Sequence, residues 1–232
     1  MRVVAAIQAR LGSTRFPGKV LKPLLGRPML LHIAERVNRC KYLTDVVVIC
    51  PMKDFTEISR AVPGINILAD GEIEEEDLVR RYWHTAMSFG ADLVVRVCSD
   101  NPCVDPMNID LLVRDYLGNP NRDSEENQTI LWSNAGDYKD SAWPKGLGAE
   151  LYPYGLLRDM DKIVPGELRE HPHITFHITG KVKEPECPYD WKKKAPLAFD
   201  VNTRDDFDRA ERTYNHFGHN KFTSKELIEY YV

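Results

Sequence analysis

Residues 3–20 read VVAAIQARLGSTRFPGKV, and the fold follows from where that stretch changes character. Val3 to Ala9 is an apolar run broken by a single glutamine, as expected of a strand buried on both faces of a parallel sheet. At Arg10 the run gives way to a loop in which Arg10, Arg15 and Lys19 surround Gly12, Ser13, Thr14 and Gly18. Such a loop directly after a buried strand suits a polyphosphate. Glycines permit positive φ and close backbone approach, so amides can turn toward an anion. Lysine adds a point charge, and arginine a fork for phosphate oxygens. The plain alternative is a solvated β–α turn, against which the density of cations and glycines weighs.

The spacing excludes two familiar phosphate loops. A Walker A loop needs four residues between its glycines and a Ser or Thr after the lysine. Here Gly12 and Gly18 enclose five, and Val20 follows Lys19. The GxGxxG dinucleotide fingerprint is absent too.

Working outward, the strand signal recurs in DVVVIC (45–50), INILAD (65–70) and DLVVRVCSD (92–100), with helical stretches between. MLLHIAERV (29–37) places Leu30, Ile33, Ala34 and Val37 on one face. EEEDLVRRYWHTAMSF (74–89) opens on acids, favourable at a helix N-terminus, and lines up Leu78, Tyr82, Ala86 and Phe89. Met107 to Leu117 follows an Asp-Pro start in which Asp105 reads as the cap. The alternation predicts an α/β protein, a three-layer α/β/α sandwich on a mostly parallel, Rossmann-like sheet.

The second half is less regular. Residues 119–128 form a polar loop, TILWSN (129–134) and PLAFDV (196–201) read as strands, and 135–148 as a flexible loop over a site. Arg204 to Phe217 and Ser224 to Tyr231 read as helices, with Asp205 and Asp206 favouring the first helix's N-terminus. With no repeat and no linker, residues 1–232 are expected to form one domain: a nucleotide-binding half (1–118) and an acceptor half (119–232) that carries a second metal ligand.

Composition narrows the partners. At 43% hydrophobic and 28% charged residues the chain is an ordinary globular protein. A net charge of −4 with acids and bases interspersed argues against a nucleic-acid or membrane surface. Five cysteines without CxxC spacing, no secretory pattern and no membrane-length apolar run lead to the expectation of a cytoplasmic protein without disulfides. His171, His173 and His177 have no spacing that argues for zinc, and Lys192 to Lys194 read as a solvated charge run.

The stretch QARLGSTRFPGKVLKPLLGRPML (8–30) resembles the opening motif of the acid-sugar cytidylyltransferases (the acylneuraminate and 3-deoxy-manno-octulosonate type), and most of all their spore-coat polysaccharide branch. RVCSDNPCVDP (96–106), PKGLGAELY (144–152), LREHPHITFHI (168–178) and LAFDVNTRDDFDRAE (197–211) resemble later blocks of that family in the same order. The resemblance implies a nucleotide-diphospho-sugar transferase fold and transfer of CMP from CTP to a small acidic acceptor, such as a 2-keto-acid sugar, with release of pyrophosphate. It also implies Mg²⁺ and a homodimer. Gln8, Ala9, Arg10, Leu11, Gly12, Ser13, Arg15 and Lys19 would bind the nucleotide, Arg10 and Lys19 acting in catalysis. Glu150, Arg169, Glu170 and His171 would meet the acceptor, and Lys145, at a departure from the pattern, is a further acceptor-side candidate. The chain departs from the pattern at Pro144-Lys145-Gly146-Leu147-Gly148-Ala149-Glu150, where relatives often read Pro-Asp-Gly-Leu-Asp-Val-Glu. Ser99 and Asn101 also stand where relatives often carry Gly and Cys.

The residues themselves support such chemistry. A nucleotidyltransferase works mainly by positioning and electrostatics. The loop carries no carboxylate for a metal, and Mg²⁺ takes carboxylates beside substrate phosphates. Asp100 and Asp200 each end a strand-like run, and ligands of open parallel sheets bind beyond the carboxyl ends of strands. Together they are the candidate catalytic metal ligands, although either could only start a turn. Arg96 inside a buried strand reads equally as a structural ion pair or as a nucleotide contact. Lys145 reads as a positive element of the acceptor pocket or as a solvated side chain. A phosphate or phosphonate acceptor, a non-catalytic nucleotide-binding relative and a nucleotide-sugar glycosyltransferase are the competing functions. The loop after the first strand weighs against the last.

Overall fold

The structure, a computed structural model, describes residues 1–136, 141–189 and 198–231. Its first half alternates as the apolar runs require. It runs β1 (Val3–Gln8), a small hairpin of β2 (Pro23–Leu24) and β3 (Arg27–Pro28), α1 (Met29–Val37), β4 (Asp45–Pro51) and α2 (Phe55–Ala61). There follow β5 (Asn66–Asp70), α3 (Leu78–Phe89), β6 (Leu93–Cys98) and α4 (Pro106–Gly118). The second half adds β7 (Leu131–Ser133), β8 (Glu150–Pro153), α5 (Tyr154–Ile163), α6 (His173–Ile178), β9 (Val182–Lys183), α7 (Arg204–Phe217) and α8 (Ser224–Tyr231).

Seven strands form one sheet in the order β5-β4-β1-β6-β8-β7-β9. The first four are parallel, β8 runs antiparallel to both neighbours, and β9 pairs parallel with β7. Alternate residues of β1 feed two cores. Val3, Ala5 and Ile7 pack with Leu30 and Ile33 of α1, Leu112 of α4, Tyr214 of α7 and Leu227 of α8. Val4 and Ala6 pack with Tyr82 of α3, Met160 of α5 and Phe176 of α6. Each such fully buried side chain contributes roughly 1.5–3 kcal/mol. The expected three-layer α/β/α sandwich is therefore present. Because β1 lies between β4 and β6, successive crossovers leave it in opposite directions. This switch point opens a crevice beyond the ends of β1 and β6.

Caps set the helix starts. Asp77 accepts the Arg80 amide, so α3 begins after the acids 74–77 rather than within them. Asp105 caps α4 as expected, accepting the amides of Met107 and of Ser224 at the start of α8. Thr203 and Asp206 form a reciprocal capping box on α7. Thr203→Ala is expected to cost about 1 kcal/mol, read as a lowered urea midpoint with an unchanged slope. Arg36 of α1 is wholly buried and donates to the carbonyls of Cys103, Val104, Asn220 and Phe222. It thereby fastens the turn after β6 to the segment ahead of α8.

Several elements differ from expectation. β8, β9, α2, α5 and α6 lacked a clear pattern, and the strand expected over 129–134 shortens to β7. Of the strand expected over 196–201, residues 196 and 197 lie outside the described residues. The remainder makes a single bridge, Lys145 with Ala198, instead of joining the sheet. Its amides are taken by loops: Phe199 donates to the Lys145 carbonyl at 2.9 Å and Val201 to the Asp100 carbonyl at 2.8 Å. Lys192 to Lys194 also lie outside the described residues.

Candidate active site

The crevice at the switch point is an open cleft lined by residues of β1, α3 and β6 and by the loop after β1. The loop after β1 forms one wall. Gly18 is left-handed, at φ +67°, and its turn feeds a short 3₁₀ segment, Lys19–Leu21. Gly12 is not left-handed. Its lack of a side chain leaves room for Glu75, whose Oε1 would stand 3.1 Å from an added Cβ. The loop is also less of an open amide cradle than its sequence suggests. The amides of Ser13, Phe16, Gly18 and Lys19 bond within the loop, and that of Leu11 reaches Asp54. Those of Gly12, Thr14 and Arg15 have no partner among the described residues.

Lys19 turns inward. It is 8% exposed, and its Nζ donates to Asp100 Oδ2 at 2.9 Å and to the Val201 carbonyl at 2.6 Å. With the bond from the Val201 amide to the Asp100 carbonyl, these contacts bring the end of β6 against the stretch that holds Asp200. Asp200 accepts from Asn202 Nδ2, and Lys145 Nζ lies 3.2 Å from its Oδ2. Arg15 donates to Asn202 Oδ1 at 2.7 Å, linking the loop to the same junction. Gly146, at φ +85°, passes under this junction, where an added Cβ would lie 2.6 Å from the Asp200 amide. At Gly148 an added Cβ would lie 2.0 Å from the Asn134 carbonyl, so the acid common in relatives has no room here.

Beneath the cleft lies a buried polar floor. Arg96 pairs with Glu150 across β6 and β8 at 2.8 Å, and its Nε donates to Gln8 Oε1 at 3.1 Å. Tyr82 also donates to Gln8, and Tyr152 donates to Glu150 at 2.7 Å. His173 Nδ1 stands 3.8 Å from Glu150. Burial pushes the Glu150 carboxyl up, but Arg96 beside it prevails and holds it at about 2. Burial depresses His173 to about 4, Glu150 only partly opposing it. Of the two readings of Arg96 the structure shows the ion pair, and the residue also lines the cleft.

Of the nucleotide-side candidates, Gln8, Ala9, Arg10, Ser13, Arg15, Lys19 and Arg96 line the cleft, as does Asp100. Leu11 and Gly12 do not. Arg10 spans the mouth, 3.4 Å from Glu75 and 2.5 Å from Glu170. Asp200, 8% exposed, is not among the lining residues. On the acceptor side His171 lines the cleft, whereas Glu150 faces the floor and Arg169 pairs with Asp77 and Asp161 outside it. Lys145 stands at Asp200 rather than in the cleft lining. The sequence reading missed Arg81, which lines the cleft from α3. The signal was available: Arg81 stands three residues after Leu78, a cation on the helix's apolar face.

Comparison with known proteins agrees with this geometry. A cytidylyltransferase family model matches residues 4–140. The 3-deoxy-manno-octulosonate cytidylyltransferase of Trichlorobacter lovleyi is 34% identical over 52% of this chain and 47% of its own, so the chain spans about half the length of that relative. The spore coat polysaccharide biosynthesis protein SpsF of Bacillus subtilis is 26% identical over 97% of this chain and 92% of its own. A solved cytidylyltransferase structure from Leptospira borgpetersenii superposes with a TM-score of 0.82 at 26% identity, covering 99% of this chain and 93% of that one. The family model covers more than half of the chain, including the loop after β1 and Asp100, and the chain belongs to the cytidylyltransferase family.

Proposed function

We propose that this chain transfers CMP from CTP to a small acidic acceptor of the 2-keto-acid-sugar class, releasing pyrophosphate. The observation that carries the reading is the junction of Lys19, Asp100 and the Val201 carbonyl at the head of the cleft. An acceptor hydroxyl oxygen forms a bond to the α-phosphorus, the bond from that phosphorus to the β-bridging oxygen breaks, and the hydroxyl proton passes to water. Lys19, Arg15 and Arg10 counter the charge that collects on the departing pyrophosphate, in a cleft where water screens it less. For Arg10 this means exchanging Glu75 and Glu170 for phosphate oxygens. His171 and Lys145 offer donors to an acidic acceptor.

Mg²⁺ suits the donor set. Among the described residues no three His, Cys, Asp or Glu side chains converge, so a cation here relies on ligands brought by the substrate. Mg²⁺ binds in that manner, through one or two carboxylates plus phosphate oxygens. Asp100 and Asp200 would hold it, with Lys19 and Lys145 yielding their present bonds. When bound, it polarises the α-phosphate and offsets pyrophosphate charge.

The test is a pyrophosphate-release screen of four nucleoside triphosphates against 2-keto-acid sugars, sugar phosphates and phosphonates, with and without Mg²⁺. Release only with CTP, a 2-keto-acid sugar and Mg²⁺ is expected; release with none of the acceptors refutes the reading. Lys145→Asp is expected to raise KM for acidic acceptors about tenfold while leaving KM for CTP alone, the scale of one charge-assisted hydrogen bond. Unchanged KM ratios across acceptors of different charge would remove Lys145 from acceptor recognition.

A further inference from the structure

Arg81 is a buried cation whose hydrogen-bonding capacity is largely unused. It is 3% exposed, and only its Nη2 is engaged, donating to the carbonyls of Glu74 at 3.0 Å and Ile73 at 3.4 Å. Its Nε and Nη1 have no hydrogen-bond partner among the described residues, and the side chain lines the cleft. Buried donors without acceptors are costly, and few survive in folded proteins without a reason. Here the reason is a ligand that brings the acceptors.

The lining around Arg81 identifies which part of a nucleotide that is. The triphosphate has its cations in Lys19, Arg15 and Arg10, all from the loop after β1. Arg81 instead shares its wall with Ile49 and Pro51 of β4 and Leu78 of α3. Apolar side chains suit the faces of a flat ring, not a hydrated phosphate. A pyrimidine lying there must offer acceptors to a group that only donates. Cytosine presents O2 and N3, both acceptors, on adjacent atoms. Uracil presents O2 beside an N3–H donor, which would meet another donor. We infer that Arg81 is the base-reading residue of this site, donating to the O2/N3 edge of cytosine and selecting CTP over UTP. The inference rests on the nucleotide reading above and adds to it the group that discriminates the base.

Binding and activity together test it. Calorimetry is run with CTP, UTP and inorganic tripolyphosphate on the wild type, Arg81→Met and Arg81→Lys. Arg81→Met fills the space without donors and is expected to weaken CTP about 10–100-fold, the scale of hydrogen bonds to a charged group. The CTP-to-UTP preference should fall toward one, with tripolyphosphate affinity unchanged. Since two of the wild-type donors are unbonded without ligand, the ligand-free variant should lose little thermal stability. Arg81→Lys should recover part of the CTP preference. An unchanged CTP-to-UTP ratio in Arg81→Met overturns the assignment, as does a parallel loss of tripolyphosphate affinity, which would make Arg81 a phosphate ligand. A wild type that binds both nucleotides equally overturns it as well. A wild type that prefers CTP in calorimetry yet transfers no CMP would instead refute the proposed reaction and leave the role of Arg81 standing.

Discussion

Asp100→Asn is expected to lower the rate of CMP transfer about a thousandfold, equivalent to about 4 kcal/mol of barrier. The substitution keeps the shape of the side chain and removes its charge. Lys19 keeps its 2.6 Å bond to the Val201 carbonyl, so the loop after β1 stays in place. The Asp100 side chain is 28% exposed, which limits the stability cost to about 1 kcal/mol, in line with a partly solvated pair. The signature is thus a collapsed kcat with a nearly unchanged melting temperature. Calorimetry with CTP should show that added Mg²⁺ improves binding to the wild type and not to Asp100→Asn. A variant within a few-fold of the wild-type rate would take Asp100 out of the reaction.

Glu150→Gln is expected to be the most destabilising conservative change in the chain, at about 3–5 kcal/mol in urea unfolding. Gln can still accept one bond from Arg96, but it leaves a guanidinium that is 5% exposed without a countercharge. Acid titration reads the same network. Folded His173 titrates at about 4 against an ordinary 6.5. Between those values the unfolded chain takes up a proton that the folded one refuses, and stability falls as pH drops, by on the order of 3 kcal/mol. Glu150 adds a second loss below pH 4.5, its usual value, as pH approaches its folded value of about 2. Both contributions therefore make the protein acid-sensitive. His173→Gln should flatten the decline between pH 6.5 and 4 and leave the lower part in place.

These cases also mark where sequence reading succeeds. Strands β1, β4 and β6 were legible because parallel strands covered on both faces are nearly all apolar, whereas β5, a partly buried edge strand, was legible from its short apolar run alone. The helices α1, α4, α7 and α8 carried either an apolar stripe or a cap that is local in sequence. β8 was not legible: Glu150-Leu151-Tyr152-Pro153 opens on an acid, and an acid inside a sheet makes sense only with Arg96 opposite, 54 residues earlier. α5 and α6 start directly after Pro153 and Pro172, without a Ser, Thr, Asp or Asn cap. At the site, cations clustered within one loop could be read directly. The missing partners of Arg81 could not, since a lack of neighbours is a property of the assembled fold.

The bond between the Asp100 carbonyl and the Val201 amide has a consequence for how the protein comes into being. Most of the cleft lining lies within the first hundred residues, yet this clasp arrives a hundred residues later. A nascent chain that has exposed the loop after β1 but not the segment near position 201 offers the Lys19 ammonium only the Asp100 carboxylate and lacks its second acceptor, the Val201 carbonyl. Affinity for nucleotide should therefore emerge late in synthesis and abruptly, so that ligand capture reports that distant parts of the polypeptide have met.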